Sequence, residues 1–372
     1  MLNLYRKYSP FRRQKRSNSE ATSPPPPLPI STTDNDFDFD FGSENNSEVY
    51  GNETLTSSDN KEVVYVEYDD PLALPPTSPS YTRFVCISDT HTRSFPVPDG
   101  DVLLHSGDLT DTGTVEEFDM TMEWIRKLPH KVKIIIAGNH DLPLHTKWFK
   151  KNHYRWRDKD HSLKNELAQI LKLLKGPAAR AANVIYLQNE KYSFKVKGNG
   201  RTWSVYGSPW TPAFFSGGAF GYTPREAPAL ISKFPKTDIL LTHGPPHKIL
   251  DRTTRGDTPG CPSLTSALES ARLRPRLHVF GHIHEAHGAY IHEWARGDVV
   301  GNIQNAPDEP ETEPSEANGG QHAPTAATVF ANAAAWPMGL RRSNYQRRSW
   351  GAASNHVFGG AGFRPVVVDL MD

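Results

Sequence analysis

Five short apolar runs in this chain each end in a group of polar side chains that can bind metal ions. Apolar runs bounded by glycine and polar residues are typical of buried β-strands. In an open α/β sheet the carboxyl ends of the strands lie along one edge, so these groups would meet there. The five groups are Asp89 with His91, Gly107 with Asp108, Gly138 with Asn139, His140 and Asp141, His243 with Gly244, and Gly281 with His282 and His284.

Helical patterns separate some of the predicted strands. Thr114 and Glu117 have the spacing of a capping box, which predicts that a helix begins there. Apolar residues repeat with helical spacing over residues 163–174, and Gly176 ends that pattern. A third helix is predicted over residues 263–273. Strands that alternate with helices favour a layered α/β core.

The first 80 residues have the composition of a disordered tail. They hold four consecutive prolines at 24–27 and an acidic stretch at 34–48, after a basic start. Such segments bury too little apolar surface to offset the entropy lost on folding. We therefore expect a disordered tail over residues 1–80, which is also a candidate docking segment for an unidentified partner. One domain is expected over residues 81–372, with a disordered acidic insertion at about 302–325.

The charge balance and the cysteine count bear on partners and compartment. Forty-two basic residues balance 42 acidic ones, and this zero net charge argues against a nucleic-acid partner. Two cysteines cannot form a disulfide framework, which suits a reducing compartment. The sequence shows neither an apolar run long enough to cross a membrane nor the apolar core of a secretory signal. The expected location is the cytoplasm, with the mitochondrion and the nucleus as alternatives because the N-terminus is basic.

The donor groups in the five clusters point to two metal ions. Carboxylate, carboxamide and imidazole donors suit divalent ions, with Mn or Fe favoured and Zn or Mg as alternatives. Seven donors are too many for a single tetrahedral site that keeps a position open, but they suit two ions that share a carboxylate. The seven predicted ligands are Asp89, His91, Asp108, Asn139, His243, His282 and His284.

The order of these clusters resembles the calcineurin-like metallophosphoesterase superfamily. The pattern D-x-H, G-D, G-N-H-[DE], H, G-H-x-H is complete in this chain. Longer segments, among them FVCISDTHTR, LLHSGDLTDTG, YGSPWTP and GHIHEAHG, are similar to the small metallophosphoesterase-domain family (MPPED or UPF0046). The resemblance implies an α/β fold that is a four-layer αββα sandwich, in which two mixed β-sheets are flanked by helices.

The resemblance also implies roles for the residues in the clusters. Asp108 would bridge the two ions together with a water or hydroxide that attacks phosphorus. His140 would not bind metal but would serve as general acid to the leaving oxygen, and Asp141 would orient its ring. The first ion would be held by Asp89, His91 and His284, and the second by Asn139, His243 and His282.

One departure from the pattern of phosphoprotein phosphatases bears on the substrate. Those enzymes carry G-D-x-x-D-R-G, and this chain has Thr112 where they have arginine. A bidentate arginine suits the dianion of a phosphomonoester, so its absence favours a small phosphodiester, such as a cyclic nucleotide. A metal-dependent phosphomonoesterase for phosphoprotein or nucleotide, with Arg252 or Arg255 as its cationic clamp, stays open. A metal-binding scaffold with residual activity is a further alternative.

Three aromatic residues are candidates for stacking on a substrate base at the rim of the site. They are Trp210, Phe214 and Phe215, which follow the segment YGSP. Packing in the core or at the rim is the alternative role of such side chains. His105 is predicted to be a core histidine with a hydrogen-bond partner, and Cys261 a buried thiol.

Overall fold

Two seven-stranded β-sheets and one two-stranded sheet form the framework of the part of the chain that the structure describes. The computed structural model describes residues 53–72, 74–158, 162–213, 218–294, 298–301, 327–336 and 358–372. None of the helices within these residues is both long and apolar enough to cross a membrane.

The first sheet has the strand order β1-β2-β16-β3-β4-β5-β6. Strands β3 to β6 run parallel to one another, while β1, β2 and β16 pair antiparallel with their neighbours. The parallel strands therefore present their carboxyl ends at the same edge. The strands are β1 Glu53–Thr56, β2 Glu62–Glu67, β3 Tyr81–Ile87, β4 Val102–His105, β5 Val132–Ile136, β6 Val184–Leu187 and β16 Val366–Met371.

The second sheet has the strand order β14-β13-β15-β12-β11-β8-β7. Its inner strands β15, β12, β11 and β8 are parallel, and the outer strands are antiparallel. The strands are β7 Glu190–Phe194, β8 Trp203–Ser208, β11 Ile239–Thr242, β12 Leu277–Phe280, β13 Gly288–Glu293, β14 Asp298–Gly301 and β15 Ala327–Asn332. The short strands β9 Thr211–Pro212 and β10 Gly221–Tyr222 form the two-stranded sheet.

Alternate side chains of the central strands are buried on opposite faces of each sheet. In β3, Phe84 and Cys86 join the core between the sheets, whereas Val85 and Ile87 join the core under the helices. The ring of Phe84 meets Trp203 of the second sheet edge-on, with 5.1 Å between the ring centroids. Because both faces are covered, these strands are apolar runs rather than alternating ones.

Helices cover the outer face of each sheet. The box formed by Thr114 and Glu117 caps α1 in the structure, as predicted. The helices are α1 Val115–Lys127, α2 Thr146–Asn152, α3 Leu163–Lys175 and α4 Pro177–Ala181 at the first sheet, and α5 Ala227–Ile231 and α6 Pro262–Glu269 at the second. Helix, sheet, sheet and helix give four layers, which confirms the predicted α/β sandwich.

The predicted tail is wrong for the stretch that forms β1 and β2. Val64 and Val66 of β2 are buried between the sheets, and β2 pairs with β16 at the other end of the chain. The apolar pattern of β2 is short and is flanked by polar residues, so the composition of the surrounding segment does not indicate a strand. Residues 1–52 and the predicted acidic insertion at 302–325 lie outside the described residues.

Candidate metal centre

The loops that follow β3, β4, β5, β11 and β12 bring all seven predicted ligands to one edge of the two sheets. Four of these residues have left-handed backbone angles just after their strands: φ is 53° at Asp89, 44° at His91, 52° at Asp108 and 68° at His282. Residues other than glycine seldom adopt such angles, and they persist only where the surroundings impose them. The sharp turns at the strand ends direct these side chains into a common site.

Asp89, His91 and His284 form the cluster predicted for the first ion. One potential ligand atom from each residue lies within 4.8 Å of the others. His284 Nε2 is 3.0 Å from Asp89 Oδ1, and the backbone N–H of His282 donates to Asp89 Oδ2 at 3.0 Å. Asp89 and His91 come from the first sheet and His284 from the second, so the cluster joins the two halves of the fold.

His243 is the centre of the cluster predicted for the second ion. Its Nε2 lies 2.8 Å from Asn139 Oδ1 and 3.4 Å from Asp108 Oδ2. Its Nδ1 lies 2.9 Å from the carbonyl oxygen of Ser106, which fixes the ring with Nε2 towards the site. His282 lies beside it, with 5.1 Å between the two ring centroids.

Asp108 lies between these two clusters. His91 Nε2 and His243 Nε2 approach its Oδ2 at 3.7 and 3.4 Å. Its other oxygen, Oδ1, accepts the backbone N–H of His140 at 2.8 Å. Asp108 also shares one group of potential ligand atoms with Asp89 and His243, and another with His91 and His140. A carboxylate in this position can serve two ions.

The surrounding imidazoles keep both buried aspartates ionised. Burial alone would raise the pKa of Asp89, but His284 outweighs it and the pKa falls. The pKa of Asp108 is lowered in the same way by His243 and His140. In return Asp108 raises the pKa of His243 to about 9 despite burial. Two negative charges therefore stay in the site, where they attract cations.

The ring of His140 is held by a backbone carbonyl. Its Nδ1 lies 2.7 Å from the carbonyl oxygen of Asp111, so Nδ1 donates the hydrogen bond. The ring meets that of His91 edge-on at 4.7 Å between centroids. Burial would lower the pKa of His140, but Asp108 and the Asp111 carbonyl raise it above its ordinary value. His140 can therefore carry a proton at Nε2.

Asp141 does not orient His140, contrary to the sequence-based expectation. Its carboxylate accepts hydrogen bonds from the backbone N–H groups of Leu109, Thr110 and Gly138 and from the Thr110 hydroxyl. These bonds tie the loop after β4 to the loop after β5. Burial and repulsion from Asp108 raise its pKa to about 7. Its role is to hold the two loops together rather than to contact His140.

Asp111 is one residue near the site that the sequence analysis missed. Its carbonyl holds His140, and its Oδ1 lies 3.2 Å from Nδ1 of His91. One residue thus touches a predicted ligand and the predicted acid. Its position three residues after Asp108 in G-D-x-x-D was the available signal.

The residues fit a pair of divalent ions. His91 Nε2 is buried and has no hydrogen-bond partner among the described residues, as expected of a ligand atom. Gly281 lies so close to Asp89 that a Cβ would overlap its carboxylate, and Gly138 is equally close to Asp108. The glycines therefore let two carboxylates approach the strand ends. The oxygen and imidazole donors suit Mn, Fe, Zn or Mg.

Several predicted rim residues have other roles. The Trp210 ring is half-buried and meets His145 and Phe220 edge-on, so it packs at the rim. Phe214 and Phe215 lie outside the described residues.

His105 is buried with Nε2 2.9 Å from the Thr90 hydroxyl, as predicted. Cys261 is buried, which agrees with the predicted thiol, and Arg252 and Arg255 are exposed.

Comparison with known proteins identifies the family. A model of the calcineurin-like phosphoesterase family matches residues 82–286, which are more than half of the chain and include all seven predicted ligands. The chain belongs to the calcineurin-like phosphoesterase family. Members of this family hydrolyse phosphoesters with divalent metal ions, which agrees with the donor set described above.

Relatives of the chain include proteins of quite different length. The chain is 38% identical to metallophosphoesterase domain-containing protein 1 of Homo sapiens over 57% of this chain and 64% of that protein. It is 34% identical to a UPF0046 protein of Caenorhabditis elegans over 55% of this chain and 70% of that protein. It is also 38% identical to a probable rhamnogalacturonate lyase C of Emericella nidulans, over 59% of this chain but 18% of that protein. The chain thus spans less than two thirds of the human relative.

Proposed function

We propose that the protein is a phosphodiesterase that hydrolyses a small phosphodiester, such as a cyclic nucleotide, with two divalent ions. The observation that carries the proposal is the convergence of the other six predicted ligands around Asp108, with His140 beside them. The two ions would supply an activated water and neutralise the charge that develops on the phosphoryl oxygens. The chain's own residues then have to hold the substrate and move protons.

His140 is suited to protonate the leaving oxygen. Its Nδ1 is engaged by the Asp111 carbonyl, so a second proton can only be placed on Nε2. The raised pKa of His140 favours this protonated form. A positioned general acid accelerates such reactions by roughly 10²–10⁴-fold, because an alkoxide is a poor leaving group.

The preference for a diester is supported by the surroundings of Thr112. Its backbone N–H and hydroxyl both bond the carboxylate of Glu117, so they are engaged away from any substrate. Arg157 reaches the Thr112 carbonyl, but its guanidinium forms a buried ion pair with Glu166. The Arg157 guanidinium is therefore already engaged by a carboxylate, which makes it a poor substitute for the clamp. A diester, with one negative charge, needs such a clamp less than a monoester dianion does.

The test compares two chromogenic substrates on one preparation. The protein is stripped with a chelator, reloaded with Mn²⁺ and assayed near neutral pH on bis-p-nitrophenyl phosphate and p-nitrophenyl phosphate. We expect faster turnover of the diester, which chelator abolishes and Mn²⁺ restores. A panel of cyclic nucleotides follows, with hydrolysis read by chromatography of the products.

The His140→Ala variant, prepared in the same way, is the control for contaminating phosphatases. Activity that persists unchanged in this variant does not arise from the proposed site. Faster turnover of the monoester by wild-type protein would overturn the diesterase proposal and direct attention to Arg252 and Arg255. Absence of turnover on every substrate, with two ions bound, would also overturn it.

A further inference from the structure

Trp336 is a half-buried aromatic residue at the place where the two sheets meet. After β15 the chain crosses towards the first sheet: Ala333 donates its N–H to Phe280 of β12, and Ala334 bridges to Ser88 after β3. The N–H of Ala335 also donates to the Ser88 carbonyl at 2.9 Å. The backbone that carries Trp336 is therefore attached to the strand ends that carry Asp89 and His282.

The Trp336 ring contacts two predicted ligands of the first ion. It meets His91 edge-on, with 4.2 Å between the ring centroids and 87° between the planes. It stacks on His284, with 5.9 Å between centroids and 25° between planes. One rigid ring thus touches one imidazole from each sheet. Phe358 packs against Trp336 at 5.2 Å between centroids.

His91 differs from His243 in how its ring is oriented. Nδ1 of His243 is fixed by the Ser106 carbonyl. Neither ring nitrogen of His91 has a hydrogen-bond partner of good geometry among the described residues, although Asp111 lies near Nδ1. The polar neighbour of the His91 ring is thus a partly exposed carboxylate rather than a fixed backbone carbonyl, so packing contributes more to the orientation of this ring than it does for His243. Trp336 is the nearest aromatic neighbour of His91 among the described residues.

We propose that Trp336 is a positioning residue for the first metal ion: its ring holds His91 and His284 in the geometry that binds that ion. The inference rests on the two-ion site of the proposed function, but not on its substrate. Groups behind metal ligands orient them, and their loss typically weakens metal binding by roughly 10–100-fold. The second ion, whose ligand His243 has a backbone partner, should be far less sensitive.

The first measurement is the metal content of full-length variants after dialysis at graded free Mn²⁺ concentrations. Wild-type protein should retain two ions per chain. We expect Trp336→Ala to bind one of them roughly 10–100-fold more weakly and the other unchanged, and Trp336→Phe to restore most of the lost affinity. Trp294→Ala is the matched control, because Trp294 is also half-buried but packs on Arg274. Arg274 precedes the amino end of β12, whereas the predicted ligands follow its carboxyl end.

The second measurement is quenching of tryptophan fluorescence by Co²⁺, which acts at short range. The chain has eight tryptophans, and Trp336 lies against two of the predicted ligands. Trp336→Phe should therefore remove a larger share of the Co²⁺-dependent quenching than Trp294→Phe does. This signature places the Trp336 ring beside a bound ion, and the selective loss of one ion in Trp336→Ala then separates a positioning role from a purely structural one.

Three results would overturn the inference. One is a Trp336→Ala variant that binds both ions as wild type does, even if its KM rises, because the ring would then contact substrate. Another is equal weakening of both ions. The third is a loss of metal affinity that Trp336→Phe fails to restore.

If the alanine variant does not fold, Trp336→Leu, which keeps apolar volume without a flat ring, decides in its place. A wild-type protein that holds two ions but cleaves no diester would refute the proposed function and leave this inference standing.

Discussion

The two sheets have the same layout but contribute different chemistry to the metal centre. The first sheet supplies both carboxylates, Asp89 and Asp108, together with His91 and Asn139. The second sheet supplies only imidazoles, from His243, His282 and His284. The loops of the first sheet are also tied to each other by the four hydrogen bonds of Asp141. Charge and rigidity are therefore concentrated in one half of the fold.

The second sheet instead depends on the first for its placement. The His243 ring bonds Ser106, the N–H of His282 donates to Asp89, and the Ser106 hydroxyl donates to Val279 of β12. In the proposed two-ion site the first sheet would therefore supply the negative charge that attracts cations. The second sheet would complete the coordination with imidazoles.

The largest effect should come from removing the shared charge. Asp108→Asn keeps the size of the side chain but removes the negative charge between the clusters. We expect both ions to bind more than about 100-fold more weakly, since the change exceeds the loss of an outer partner. Metal content by mass spectrometry is the measurement. His243→Asn is the matched variant from the second sheet and should lose one ion only; two ions retained by Asp108→Asn would contradict the comparison.

A smaller effect should come from His140→Ala. His140 lies in a loop of the first sheet, after β5, but binds no ion in our proposal. Turnover should fall by roughly 10²–10⁴-fold with both ions retained, because proton transfer to the leaving group is lost. Steady-state kinetics and metal content on the same sample check this. His247→Ala, a half-buried histidine that bonds Thr258, serves as control. Wild-type turnover in His140→Ala would remove its assignment as acid.

Asp141→Asn tests whether the rigidity of the first sheet matters to binding. In asparagine an NH₂ group replaces one carboxylate oxygen and cannot accept the two hydrogen bonds that this oxygen received. The free energy of unfolding should therefore fall by about 2–3 kcal/mol. Urea unfolding of the metal-free protein measures this. Asp101→Asn lies before the amino end of the same β4 and should leave metal retention unchanged. Equal metal retention in both variants would show that the loop anchor is irrelevant to the site.

The last comparison concerns two buried histidines, one in each sheet. His105 bonds Thr90 and His278 bonds Thr242, each at 2.9 Å, and burial lowers the pKa of both to about 3. The unfolded chain binds protons below about pH 6.5 while the folded chain does not. The free energy of unfolding is therefore at its full value above pH 6.5. As the pH falls towards 3, each of the two histidines lowers it by about 1.4 kcal/mol per pH unit.

Urea unfolding between pH 7 and 4 measures this slope. His278→Gln should make this slope shallower by one proton. His105→Gln should match His278→Gln if the two sheets are equivalent in this respect. An unchanged slope in both variants would show that the buried histidines do not govern acid stability.

Much of the fold follows from local sequence signals. The central strands are apolar runs with glycine and polar residues after them, and the helices carry their own caps and periodicity, as at Thr114. The donor residues could be found because each directly follows such a strand. Their convergence follows from parallel pairing, which places strand ends at one edge.

What the sequence analysis missed depends on contacts between distant residues. Strand β2 is stabilised by β16, and nothing near residues 62–67 announces that partner. Asp141 looks like a partner of His140 because it is adjacent in sequence, yet its carboxylate turns to the loop after β4. Trp336 lies beside His91 only because the chain after β15 bridges to Ser88. Such long-range pairings have no local signature.

Strand β16 has a consequence for how the molecule is made. It lies between β2 and β3 and pairs with both, although most of the chain separates it from them. On the ribosome, the segments that bear Asp89 and Asp108 emerge long before the strand that closes their sheet. The nascent chain therefore leaves β3 without its β16 neighbour until residues 366–371 have been made. The sheet that carries Asp89 and Asp108 is completed only when β16 pairs with β2 and β3.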